Sequence, residues 1–271
     1  GEQPGVGGDD PKSALLLAGL VGGVPVELVE PGRSRDHTER LLRGMAVQVT
    51  GELEEDGWRV TLPEPPDALP PLDLTVPGDF SSAAFFLVLG LLRTQRDHLV
   101  IRNVGLNETR TGLLPVLDRM GARVAVENPR GGEGRERSGD LVVTGSPLKG
   151  CSVDGEEIPG LIDEVPILAV AASRAEGTTR ITGAGELRVK ETDRIRAMVE
   201  NLRAVGVKVE ELDDGMEIEG GRRPLQGQVR SYGDHRIAMA FGVLGALPEH
   251  QIQVDGREAA GVSFPGFWDL L

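Results

Sequence analysis

The sequence predicts an α/β protein assembled from repeated units. Three observations predict it. Helix-period and strand-period segments alternate, the helices are of two alternating kinds, and the whole pattern recurs along the chain. Each unit reads strand, apolar helix, strand, amphipathic helix, strand, strand, which is βαβαββ.

The apolar helices are expected at residues 12–20, 80–92, 163–172 and 235–247, with starts roughly 70–80 residues apart. That period is too long for a solenoid. A helix without a polar face must be surrounded, so these four predict buried parallel helices with strands around them. Their openings are small or charged: Lys12 and Ser13, Asp79 to Ser82, Asp163 and Glu164, and Asp234-His235-Arg236. Ser81 and Ser82 read equally well as helix caps or as ligands.

The amphipathic helices align on Thr38, Thr109 and Thr192. Their openings are Arg35-Asp36-His37-Thr38-Glu39-Arg40, Asn107-Glu108-Thr109-Arg110 and Lys190-Glu191-Thr192-Asp193-Arg194. A β-branched strand is expected after each, at 46–49, 122–126 and 207–209, and a second one pairing back at 58–62, 140–143 and 216–218. His37 is expected to cap or pack within its own turn, and His98 and His250 to be structural. Proline-rich residues 63–71 read as a connection. The boundary is placed at Val76, giving a partial lobe over 1–76 and a nearly complete one over 77–271. Residues 130–138, rich in Gly, Arg and Glu, predict a solvated hairpin loop.

Composition narrows the function. The chain has 271 residues, 27% of them charged and 39% hydrophobic, as in ordinary soluble domains. A net charge of −14 with 3% aromatics argues against nucleic-acid binding. An acidic body can still carry a locally positive cleft. The single cysteine, Cys151, makes no intramolecular disulfide, and no Cys/His spacing suggests a metal site. The longest apolar run is too short to span a bilayer, and no secretory leader is seen, so a cytoplasmic location away from membranes is expected.

Helix starts expose unpaired N–H groups and a positive dipole end, a natural seat for phosphate or carboxylate. Arg236, Lys190 and Arg194 add cations there, while Glu191 and His235 add proton-transfer groups. If the units are related by rotation, their helix starts gather at one end. Asp163, Glu191, Lys190, Arg194 and Arg236 would then meet despite their separation in sequence. Lys190, Glu191 and Arg194 are expected to share one helical face. The plainer readings are that Asp163 and Glu164 are first-turn acids favoured by the dipole, and that 190–194 is a solvated turn with internal ion pairs.

The stretch Arg188-Val189-Lys190-Glu191-Thr192-Asp193-Arg194-Ile195 resembles a signature of the 5-enolpyruvylshikimate-3-phosphate synthase family. Lys12-Ser13-Ala14-Leu15-Leu16-Leu17, Ser34 to Arg40, Gly78-Asp79-Phe80-Ser81-Ser82-Ala83, Asp163-Glu164-Val165-Pro166 and Gly233-Asp234-His235-Arg236 resemble its other motifs in order. The resemblance covers almost the whole chain and corresponds to the C-terminal portion of the family's length. It implies lobes of βαβαββ units, an inside-out α/β barrel with helices within, and substrates bound between two lobes.

The family joins phosphoenolpyruvate to the 5-hydroxyl of shikimate 3-phosphate and releases phosphate, with no metal or organic cofactor; glyphosate mimics the phosphoenolpyruvate. The resemblance implies that Asp163 bonds the shikimate hydroxyls and takes a proton, and that Glu191 is the acid/base at the phosphoenolpyruvate methylene. Arg194 and Arg236 match carboxylate-binding arginines with His235 beside them. Lys190 matches a lysine between the two substrates, and Ser34 and Arg35 match residues gripping the shikimate phosphate. Two departures stand out. The family's N-terminal portion, which carries further phosphoenolpyruvate-binding residues, has no counterpart here, so the chain is expected to be truncated and to need that segment, supplied in one reading by a second chain. Gly8-Asp9-Asp10 also replaces the usual Ser-Ala-Gln. The rival readings are a UDP-N-acetylglucosamine enolpyruvyl transferase and a non-catalytic phosphate-binding remnant.

Overall fold

A computed structural model describes residues 11–93, 98–132 and 135–271; Gly8-Asp9-Asp10 lies outside the described residues. The first elements are α1 (Pro11–Gly22), β1 (Val26–Glu30), α2 (His37–Gly44), β2 (Thr50–Glu54) and β3 (Gly57–Leu62). Their strands make an antiparallel sheet in the order β1-β3-β2. Leu16, Leu42, Val47, Val49, Val60 and Leu62 form a small core between this sheet and its two helices.

Two expectations are corrected in this unit. The strand placed at 46–49 begins only at Thr50. Ala46 adopts a left-handed φ of 60° just after α2, so the chain is still turning there. Val47 and Val49 are nonetheless buried, which is the pattern that read as a strand. Helix α1 is not surrounded: Leu15, Leu17 and Val21 are exposed, and the packed face carries Leu16 and Gly19. The sheet covers one side of this helix, and the other three apolar helices pack into a separate core.

That second core starts with α3 (Phe80–Leu92), β4 (His98–Gly105), α4 (Leu113–Arg119), β5 (Arg123–Arg130) and β6 (Ser138–Thr144). Next come β7 (Ser152–Val153), α5 (Val165–Arg174), β8 (Thr178–Ile181), α6 (Arg194–Ala204), β9 (Lys208–Leu212) and β10 (Gly215–Glu219). The chain ends with β11 (Gln226–Arg230), α7 (His235–Gly245), β12 (Gln251–Asp255) and α8 (Phe267–Leu270).

The sheets repeat one plan. β7-β8-β10-β9 has a parallel first pair and antiparallel pairs after it. β4-β6-β5 matches its last three strands, and Gly78, bridged in parallel to Val104, stands where β7 does. Among the described residues, β11 and β12 form the parallel pair alone. Helices α3, α5 and α7 pack on one another inside these sheets. An all-apolar helix has no face to give to water, so the sheets must take the outside.

Charged contacts join the small unit to the large one. The buried Asp36 carboxylate accepts from Arg40 Nε, Arg33 and Asn107 Nδ2, each at 2.8 Å. Burial alone would raise its pKa, but Arg40, Asn107 and Arg33 hold it well below the usual range. His37 Nδ1 lies 2.6 Å from Glu136 Oε1, and Arg40 donates to the carbonyl of Arg135. His37 therefore reaches beyond its own turn. The expected hairpin joins β5 and β6, its described residues are exposed or partly buried, and Arg135 and Glu136 also reach back to the small unit.

Candidate active site

Four helix starts of the large core are fixed by local chemistry. Asp79 accepts from Ser82 N at 2.8 Å, so Asp79, and neither serine, caps α3. A 3₁₀ turn over Ile162–Glu164 leads into α5, with a proline in its first turn. Asp193 caps α6 through Arg196 N at 3.0 Å. Asp234 caps α7 through Arg236 N at 2.8 Å and Ile237 N at 3.3 Å. Tyr232 and Gly233, at φ 55° and 76°, turn the chain sharply into that cap.

These starts converge on Asp163. Its Oδ2 accepts from Arg35 at 2.6 Å and from Arg110 at 3.0 Å, and lies 3.5 Å from Arg236. Its Oδ1 lies 3.9 Å from Arg194, and its backbone carbonyl accepts from Arg236 at 3.0 Å. Burial alone would raise the Asp163 carboxyl; Arg236, Arg110 and Arg35 outweigh it and hold the pKa well below the usual carboxylate range. Arg236 is displaced downward, chiefly by burial.

Arg194 is the best-buried member, with 2% of its side chain exposed and 0% of its partner Asp234. Its Nε donates to Asp234 at 2.7 Å and its Nη2 to Glu191 at 2.5 Å. Glu191 is half exposed at the rim of the cluster. His235, half-buried at the first residue of α7, is pushed down by burial and by the neighbouring Arg236.

Two predicted site residues bond neighbours outside this cluster. Lys190 bonds Glu186, four residues back. The expected common helical face fails because Asp193 starts the helix only at Arg194, leaving Lys190 and Glu191 in the bend before it. Ser34 donates to Glu30 at 2.7 Å. Lys12 has a supporting part: its buried ammonium bonds the Arg35 carbonyl at 2.8 Å and pairs with Glu39 at 2.9 Å and Glu30 at 3.2 Å. It thereby fixes the backbone that presents Arg35.

Sequence reasoning missed Arg110, from the turn after β4. The signal was present: aligned on the three threonines, Arg40, Arg110 and Arg194 stand one or two residues downstream, and each grips a carboxylate. Gly112 permits this approach. Its N–H bonds the Gly160 carbonyl at 3.0 Å, and a Cβ there would come within 2.8 Å of the Gly160 backbone. Among the described residues, no group of three or more His, Cys, Asp or Glu could hold a metal ion.

The sequence profile of EPSP synthase (3-phosphoshikimate 1-carboxyvinyltransferase) matches residues 10–271. The chain belongs to the EPSP synthase family. It is 50% identical over 261 residues to the 3-phosphoshikimate 1-carboxyvinyltransferase of Salinibacter ruber, covering 96% of this chain and 59% of that protein. The corresponding protein of a Synechococcus strain is 49% identical, with 96% and 58% covered. Among solved structures, EPSP synthase from Acinetobacter baumannii superposes with a TM-score of 0.85 at 40% identity, again over 96% and 58%. The enolpyruvyl transferase NikO from Streptomyces tendae, at 19% identity and a TM-score of 0.67, shares the fold. The chain thus spans about 58% of the length of these EPSP synthase relatives.

Proposed function

We propose that this chain serves the transfer of the enolpyruvyl group of phosphoenolpyruvate to the 5-hydroxyl of shikimate 3-phosphate, with release of phosphate. The observation that carries this reading is the Asp163 carboxylate, ringed by arginines from both units where four helix starts meet. Asp163 accepts the hydroxyl proton while Glu191 delivers one to the phosphoenolpyruvate methylene and recovers it as phosphate leaves. Arg194 and Arg236 hold the phosphoenolpyruvate carboxylate, with His235 alongside. Arg35 and Ser34 take the shikimate phosphate, and Lys190 lies between the substrates. Arg35 can do so only by leaving Asp163, so entry of the phosphate also unmasks the base. Ser34 and Lys190 must likewise leave Glu30 and Glu186.

In this reading the remaining length of the family completes the site, on the same polypeptide or on a second chain. Two features support it. β12 pairs with β11 alone among the described residues, whereas its counterpart β8 has a strand on each side. Helix α1 also presents Leu15, Leu17 and Val21 unburied. The reading places the lobe boundary at Val76, between the two cores, and the protein in the cytoplasm. No helix among the described residues is long and apolar enough to cross a membrane.

Calorimetric titration of the chain with shikimate 3-phosphate, with and without phosphoenolpyruvate, tests the proposal. Binding that UDP-N-acetylglucosamine does not compete away is the expected result. Displacement by the nucleotide sugar would transfer the reading to that acceptor. Binding without phosphate release, even with the family's N-terminal segment supplied, would leave a non-catalytic phosphate binder.

A further inference from the structure

In the reading above Arg110 is one of the arginines around Asp163, but neither it nor the buried pair behind it has a role of its own. Arg110 Nη1 donates to Asp163 Oδ2 at 3.0 Å, and Nη2 donates to Ser81 Oγ. Ser81 in turn donates to Glu164 Oε1 at 2.6 Å. Nη2 also lies 3.9 Å from Glu164 Oε1 and 4.0 Å from Asp79 Oδ1. One planar fork therefore spans the starts of α3 and α5. Glu164 is 1% exposed and its Oε2 has no hydrogen-bond partner. Its burial is not explained by the fold alone, because an apolar residue would pack there without an orphaned oxygen.

The backbone carrying Arg110 is held equally firmly. Asn107 Oδ1 accepts from Thr109 N at 2.9 Å and Thr109 Oγ1 at 2.8 Å, closing the turn. Asn107 Nδ2 reaches Asp36 across the junction of the two units. Of the arginines on Asp163, Arg35 comes from the other unit and has 43% of its side chain exposed, against 12% for Arg110. Arg35 can leave when a phosphate arrives, whereas Arg110 is pinned at both ends.

We propose that Arg110 is the positioning residue for Asp163, holding its carboxylate in one orientation, with Ser81 and Glu164 as the buried anchor of its guanidinium. The assignment rests on the enolpyruvyl-transfer reading for its consequence and on these contacts for its substance. A lysine cannot replace it. An ammonium carries its three donors on one atom and cannot reach Asp163 and Ser81 from two nitrogens held in one rigid plane.

The test follows the Asp163 carboxyl by carbon NMR through a pH titration of the whole chain, in wild type, Arg110→Lys, Arg110→Ala and Ser81→Ala. All three variants are expected to titrate at higher pH than wild type, Arg110→Ala most and Ser81→Ala least. In phosphate-release assays, Arg110→Lys is expected to lower kcat roughly 100-fold, as misplacement by about an ångström does, with KM for phosphoenolpyruvate unchanged. A wild-type titration curve in Arg110→Ala, or in Arg110→Lys, would overturn the proposal. Should Arg110→Ala not fold, Arg110→Lys and Ser81→Ala still decide it. The titration needs no substrate, so a wild-type chain that ignores shikimate 3-phosphate defeats the proposed function while the NMR result stands or falls separately.

Discussion

Asp163 and Glu164 are adjacent in sequence and their pKa values are shifted in opposite directions, because arginines surround one and burial dominates the other. Glu164 is raised, by burial first, against the opposing pull of Arg110 and Ser81. A carboxyl raised in the fold stabilises fully below its unfolded pKa, and that contribution is lost as pH climbs through the folded value. Asp163 is lowered, so its contribution is present above its unfolded pKa of 3.8 and lost as pH falls through the folded value. Glu164→Gln keeps the shape and removes the ionisation. It should raise Tm at about pH 7 and lose that advantage at about pH 4, below the ordinary glutamate value. Asp163→Asn should lower Tm almost equally at about pH 7 and about pH 4, with the penalty shrinking only as pH falls below the unfolded value of 3.8. Thermal scans at about pH 7, 4 and 2 check both; offsets of the two variants that change with pH in the same way would show that these carboxyls do not differ in environment. In an assembly that turns over, Asp163→Ala and Glu191→Ala should each abolish phosphate release, and unchanged release from both would remove the catalytic assignment.

At the scale of elements, the helix starts are held together by charge as well as by apolar packing. Arg194 begins α6 and Asp234 caps α7, and their bond is almost wholly excluded from water. Removing one partner of a buried pair leaves an uncompensated charge and costs about 3–5 kcal/mol. Arg194→Ala should therefore destabilise by that amount in chemical denaturation, and a loss under about 1 kcal/mol would mean that water reaches the pair. This geometry was largely legible in the sequence. Lys190–Arg194 and Asp234–Arg236 announce themselves because helix caps, cations and an apolar run coincide, and the repeat predicts that their starts meet. Less legible were choices that the chain makes only in three dimensions. Lys190 lies before α6 and bonds Glu186, because Asp193 delays the helix to Arg194, and no spacing rule fixes that boundary. Arg110 sits 53 residues from Asp163, so only the equivalence of the repeats could have pointed to it. Val47 and Val49 show that burial alternation alone does not prove strand pairing.

At the scale of the whole molecule, the two cores are unequal. Among the described residues the small one rests on six buried apolar side chains, whereas the large one draws on all three mutually packed helices and their sheets. Local stability follows the extent of such burial, so the small unit should open first. In hydrogen–deuterium exchange, amides of β1, β2 and β3 should exchange well before those of β8, β10 and α5. Lys12→Met tests what ties the small unit together. It keeps the side chain's bulk while leaving Glu30 and Glu39 facing each other without their cation. Its effect should be confined to residues 11–62, with exchange in α5 and α7 unchanged. Polar contacts such as Arg35–Asp163, Asp36–Asn107 and His37–Glu136 join the units. A ligand bound by Arg35 on one side and by Arg194 and Arg236 on the other would add a bridge, and binding to the folded state alone protects it in proportion to occupancy. Shikimate 3-phosphate together with phosphoenolpyruvate should therefore slow exchange in β1–β3 as well as around the helix starts. Protection confined to α5, α6 and α7 would show that the small unit takes no part in holding substrate, and Arg35 would then be a partner of Asp163 alone.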